Sequence, residues 1–383
     1  MFFASAAASP LYRVYEAEFR FSAATLTAIF AIYVLFLMLS LLFFGSLSDY
    51  LGRLPVIVAA LVFSIVACGV FLASHGVGAL YVARSLQGVA TGLISGPIGA
   101  ALIELQPTGS DRAPLVTSVF STLGLAFGAL VTSALVEYAP DPTHLIWWLL
   151  LALFGAGILA VLAMTEPGAR RPGALASLRP RIAVPRAGRG TFIAAVPAMA
   201  GGWALCGIYL SLGPSLAAQE TGSANLMWGG LVIFLLFGTA ATAAVGLRGV
   251  GSEAMMLAGC VSLLVGMALT FGAIAAKTPP AFLLGSAVAG SGFGLAFLGS
   301  FRSVTALATA GQRAGLVAAV YVVGYLAFSV SALIAGAAVT RYGLHSTALV
   351  YSASLAGLAA VALAISVFRW ASSRAAGRGS RQS

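Results

Sequence analysis

Few side chains in this sequence of 383 residues could make or break a bond. The three histidines, His75, His144 and His345, lie far apart and lack the spacing of metal ligands. The three cysteines, Cys68, Cys206 and Cys260, all fall inside apolar runs and read as small packing residues. There is no Gly-x-Ser-x-Gly nucleophile elbow and no phosphate-binding loop, so covalent catalysis and ATP hydrolysis are not expected. What remains is the chemistry of recognition. Asp49 and Arg53 share one short polar loop, where an acid can meet a cation or a helix N-terminus. Arg84, Gln87 and Thr91 fall on one face of an apolar helix. A guanidinium inside such a helix is costly unless water, a carbonyl group or a ligand meets it. Arg84 is therefore a candidate for lining a solute path, with Gln87 and Thr91 beside it. The bland alternative is snorkelling to headgroups about 10 Å away.

The elements that carry these residues are apolar almost from end to end. The chain is 60% hydrophobic and 8% charged, whereas a soluble domain carries about 25% charged residues. A folded soluble protein could not bury this much apolar surface, so a lipid bilayer must cover part of it. The 45 glycines agree, because glycine lets membrane helices approach closely. Runs long enough to cross a bilayer fall at 23–46, 55–74, 77–103, 113–137, 144–164, 191–217, 226–247, 254–276, 281–301, 314–340 and 346–369. These predict eleven full spans. The apolar Met1 to Ser9 segment covers only about half a bilayer. It is read as the outer half of another helix, incomplete at its start and ended by Pro10. Within the span 191–217, Trp203 and Tyr209 are further candidates for the transport cavity, with Pro197 and Gly201-Gly202 as a flexible point.

A net charge of +10 would suit nucleic acid, but its placement argues against that partner. Fifteen basic residues fall on the side of the loop after 23–46, against Arg13, Arg20, Lys277 and Arg341 on the other. The positive-inside rule then puts that loop and the C-terminus in the cytoplasm. The Arg-rich, Pro-rich segment 166–190 reads as a cytoplasmic linker, with room for a short amphipathic helix. It separates an N-terminal bundle (1–165) from a C-terminal bundle (191–371), followed by an Arg-rich tail (372–383). The two parts repeat. Arg112-Ala113-Pro114-Leu115-Val116 returns as Arg313-Ala314-Gly315-Leu316-Val317, and Leu125-Ala126-Phe127 as Leu326-Ala327-Phe328. Parallel six-helix repeats with a site between them are a transporter architecture.

The loop after 23–46 reads Gly45-Ser-Leu47-Ser48-Asp49-Tyr-Leu-Gly52-Arg53-Leu-Pro55. It resembles the signature loop of the major facilitator superfamily, G-x-L-[SA]-D-x-x-G-R-x-P. Arg84-Ser-Leu-Gln87-Gly88 resembles that family's R-x-x-Q-G motif in helix four. Ser9 to Ser22 resembles the first outer loop of its bacterial members. The equivalent loop of the second half, Gly246 to Glu253, keeps little of the pattern. In the fifth helix, counting the partial first one, Gly124 and Gly128 match the antiporter pattern G-x-x-x-G-P-x-x-G-G, but its proline and last two glycines are replaced.

The resemblance implies an all-α integral membrane fold of two six-helix bundles. It implies a loop that locks the halves together on the cytoplasmic side, with Asp49 facing Arg313. It also implies a secondary transporter that moves a small solute by alternating access, with efflux and proton coupling as the finer expectation. The chain is then expected in the inner (plasma) membrane as a monomer, without cofactor, metal or nucleic acid. The alternatives of another class are a polytopic membrane enzyme and a non-transporting receptor.

Overall fold

Apolar runs of about 20 residues satisfy their backbone groups internally only as helices when lipid surrounds them. The computed structural model describes residues 1–105, 113–168, 172–180, 182–306 and 309–379, and these contain helices and no strand. In order they are α1 (Phe2–Phe19), α2 (Ala23–Phe44), α3 (Ser48–Leu51), α4 (Arg53–Leu72), α5 (Val77–Leu105), α6 (Ala113–Tyr138), α7 (Leu145–Leu162), α8 (Ala174–Ser177), α9 (Arg189–Ser211), α10 (Gly213–Thr221), α11 (Met227–Gly246), α12 (Ser252–Ala276), α13 (Pro279–Thr305), α14 (Ala310–Tyr342) and α15 (Leu344–Gly379). Among the described residues, 11 helices are long and apolar enough to cross a membrane. They correspond one for one to the spans read from the sequence.

These helices are apolar on all sides, so position alone decides which side meets protein. On α7, Trp147 is fully buried while its neighbour Trp148 is 56% exposed. Leu153, Leu159 and Leu162 on the same helix are likewise exposed, a surface suited to lipid rather than water. Helices before and after the linker meet along two seams, α2 against α14 and α6 against α11. Aromatic contacts close both, Phe30 on Phe328 at 6.1 Å and Phe127 on Phe234 at 5.3 Å. At the end away from the Gly45–Pro55 loop, a Glu137 carboxylate oxygen accepts from the Leu226 N–H at 2.9 Å. Asn225 donates to the Tyr138 hydroxyl at 3.2 Å beside it.

Three expectations change. Pro10 does not end the first helix. α1 runs through it to Phe19, so the segment read as an outer loop shrinks to Arg20–Ser22. A proline removes one backbone donor but not the packing on either side. Here Leu11, Tyr12 and Tyr15 are buried, and the Trp147 indole donates to the Tyr15 hydroxyl at 3.1 Å. The expected flexible point at Pro197 and Gly201-Gly202 is continuous helix. The break comes later, at Leu212, where α10 restarts with Pro214 in its first turn. The linker forms no amphipathic helix among its described residues, only the four-residue α8 and a 3-10 turn at Arg186–Gly188. Arg112, Arg170, Arg171, Arg181 and Arg381 lie outside the described residues, as does the side chain of Arg313.

Candidate functional site

Arg84 has no exposed surface, which leaves snorkelling without support. One of its nitrogens, Nη1, donates to the Ser5 carbonyl at 3.1 Å and to Gln87 Oε1 at 2.8 Å. The Gln87 amide then donates to the Ala4 carbonyl at 3.1 Å. The first turns of α1 thus supply two acceptors to the pair on α5. The guanidinium carbon lies 4.1 Å from the Tyr33 ring centre, 4.6 Å from Phe30 and 6.0 Å from Tyr12. Such rings attract a cation through their negative faces. Gly88 makes this possible. A Cβ there would strike the Tyr33 carbonyl oxygen, so only glycine lets α5 approach α2 this closely.

Thr91 is buried but spends its hydroxyl on the Gln87 carbonyl of its own helix, at 2.8 Å. Trp203 stands against Tyr325 at 4.8 Å, Phe297 at 5.6 Å and Phe293 at 6.4 Å, and its indole N–H has no partner among the described residues. Rings thus run from the guanidinium on α5 across the α2–α14 seam through Phe30 to Phe328, and Trp203 on α9 meets α14 separately through Tyr325. Tyr209 is engaged elsewhere, sharing a hydrogen bond of 3.0 Å with Ser286 and lining a cavity of about 20 Å³ with Leu216 and Thr347. A second cavity of about 340 Å³ lies along the α2–α14 seam. Arg84, Gln87, Thr91 and Trp203 line neither. Tyr12, Phe30, Tyr33 and Tyr325 carried no sequence signal that set them apart from ordinary packing aromatics.

The signature loop is held together by charge. Gly45 caps α2, Leu47 packs on the core, and α3 presents Asp49 to Arg53 as an ion pair. Arg53 also donates to Ser48 at 2.9 Å and to Glu104, at the end of α5, at 2.8 Å. Gly52 adopts φ 100°, ψ 161°, a conformation nearly reserved for glycine. Pro55 occupies the first turn of α4, where a missing N–H costs little. The role of helix anchor belongs to Glu166, not Asp49. Its carboxylate accepts from the N–H groups of Arg53 at 2.7 Å and Leu54 at 3.0 Å, a favourable place for an anion. Glu166 opens the linker, and only proximity in space connects it to this loop.

A second acid is buried at the far end. The Glu220 side chain, on α10 outside the spans, is 2% exposed, with Oε1 3.9 Å from His345 Nδ1. Burial raises its carboxyl above the ordinary 4.5, and His345 and Lys277 oppose that shift. A raised native value makes the stabilising contribution complete below 4.5, and it is lost as pH rises through the native value. Melting temperature should therefore fall across that rise, and Glu220→Gln should flatten the slope. Parallel curves for the two proteins over a pH series would contradict this assignment of the titrating group.

The sequence profile of the Major Facilitator Superfamily matches residues 1–322. An uncharacterized MFS-type transporter of Bacillus subtilis (strain 168), YybF, is 29% identical over 130 residues, 34% of this chain and 32% of that protein. The aligned part thus spans about a third of the relative's length. Among solved structures, the human organic anion transporter MFSD10 superposes with a TM-score of 0.67 at 17% identity, over 95% of this chain and 96% of that one. The nucleoside transporter NupG gives 0.69 at 14%, over 94% of each chain. A variant of the peptide transporter POT gives 0.72 at 14%, over 95% and 92%. At these identities the likeness concerns the fold.

Proposed function

Since the chain belongs to the major facilitator superfamily and is a multi-pass membrane transporter rather than an enzyme, we propose that it moves a small solute by alternating access between its N-terminal and C-terminal helices. The supporting observation is the buried Arg84 beside the α2–α14 seam, with the ring it lies on, Phe30, meeting Phe328 of the other set of helices. A cation placed there meets the solute from one half while Trp203 meets it from the other. The finer reading is export driven by a proton gradient, in the inner membrane, by a monomer with its signature loop and C-terminus in the cytoplasm. Arginine placement supports that orientation.

The test is uphill flux of solute into vesicles with the proton gradient collapsed and ATP retained. Loss of accumulation is expected, and unchanged uphill flux would remove proton coupling. The signature loop adds a second test. Asp49 is half exposed and pairs within its own loop, so its contribution to stability is about 0–1 kcal/mol. If it works as a gate, Asp49→Asn should lower flux per molecule severalfold at unchanged membrane expression. Equal flux in matched vesicles would end the gate role.

A further inference from the structure

We infer that the solute is an organic anion with an apolar body, its negative group taken by Arg84 and its body seated in the groove between α2 and α14. This rests on the reading of the chain as a solute transporter. The first ground is charge. The ion pairs among the described residues join Arg53, His144 and His345 to acids, and none involves Arg84. A cation buried within a span and left without a counter-ion favours a ligand that brings one.

The second ground is the arrangement of donors. Both protein acceptors, the Ser5 carbonyl and Gln87 Oε1, fall on Nη1. Nε and Nη2 have no acceptor among the described residues. These two N–H groups lie along one edge of the planar guanidinium, parallel and spaced to match the two oxygens of a carboxylate. The rings of Tyr33 and Phe30 hold that plane. On α1, Tyr12 Oη is also buried without a partner among the described residues, on a ring centred 6.0 Å from the guanidinium carbon.

The third ground is the groove. Its volume of about 340 Å³ falls within the ~300–1,000 Å³ usual for ligand sites. Its lining includes Ala31, Val34 and Met38, the rings of Tyr81 and Tyr325, and the exposed Leu35, Leu326 and Leu333, so it opens on the side of the bundle that faces lipid. It offers an apolar body contact and no charge. Tyr81 precedes Arg84 by one turn of α5, and Val34 follows Tyr33 on α2, so the groove draws its lining from the same two helices that hold the guanidinium and its rings. A solute with a charged head and an apolar body would satisfy both features at once. A small inorganic anion would leave the groove empty, and an organic cation would meet Arg84 as a like charge.

The experiment uses the full chain in nanodiscs and measures equilibrium binding of 2-naphthylacetate, 2-(2-naphthyl)ethylammonium and acetate. 2-Naphthylacetate should bind saturably and about tenfold or more tighter than either of the others. Arg84→Lys should weaken it about tenfold, and Ala31→Phe, which fills the groove, should weaken it while leaving acetate unchanged. Equal or tighter binding of the ammonium probe, or no binding of 2-naphthylacetate, overturns the proposal. If Arg84→Lys does not fold, the anion-to-cation ratio of the unmodified protein decides alone. Binding needs no gradient, so the two readings fail separately. Selective anion binding without flux of any solute counts against transport. Flux of cations or neutral solutes without anion binding counts against the solute class.

Discussion

Arg84→Lys should reduce solute flux per folded molecule by roughly one to two orders of magnitude, and Arg84→Ala by at least as much. Lysine keeps the charge, so an effect on both variants isolates geometry. In the native structure one nitrogen bridges the Ser5 carbonyl and Gln87 Oε1, and the flat guanidinium lies on Tyr33. An ammonium on a flexible stem cannot make the bridge, the stacking and a paired contact to solute together. Each charge-assisted hydrogen bond lost is worth about 1.5–3 kcal/mol, and about 1.4 kcal/mol is tenfold. Flux should be measured in proteoliposomes with the amount of folded protein matched. An independent readout is protection. An impermeant arginine-directed reagent should leave Arg84 unmodified in the resting protein, since the residue has no exposed surface. Wild-type flux in both variants, together with ready modification, would take Arg84 out of the solute path.

Gly52→Ala should lower the melting temperature and the yield of folded protein, and by more than any change at Asp49. Two costs coincide at this position. The backbone sits at φ 100°, ψ 161°, where a side chain adds about 1–3 kcal/mol of strain. A Cβ would also lie 2.7 Å from Glu166 Oε2, in the carboxylate that caps α4. Relieving the clash means moving Glu166, which gives up its bonds to the Arg53 and Leu54 N–H groups. Glu166→Gln should then show part of the same loss without the backbone strain. Thermal unfolding of the purified protein in detergent checks both variants. A Gly52→Ala protein as stable as the parent would mean that the turn can relax and that the Glu166 cap contributes little.

The contrast between these positions shows what can be read from a chain of this kind. All eleven spans were legible, because lipid imposes one demand on each: about 20 apolar residues with every backbone group paired internally. The family was legible from Gly45 to Pro55 and from Arg84 to Gly88, where glycine, proline and charge stand out against an apolar background. Arg84 was conspicuous for the same reason, as a charge where charge is expensive.

What the sequence determined by itself is the number of apolar spans, the family and the presence of a charge within one span. What only the tertiary structure decided is which groups surround that charge. The Ser5 and Ala4 carbonyls, Phe30 and Tyr33 come from helices far from Arg84 in the chain, and apolar helices carry no pattern that says which face turns inward. The course of α1 through Pro10 was decided in the same way, by Leu11, Tyr12 and Tyr15 finding a buried face. So was the cap on α4, where Glu166 and Arg53 meet across 113 residues of chain. In water, an apolar stripe marks the buried side of a helix. In lipid both sides are apolar, so the facing of each helix is settled by close packing and by the few polar groups that must find partners.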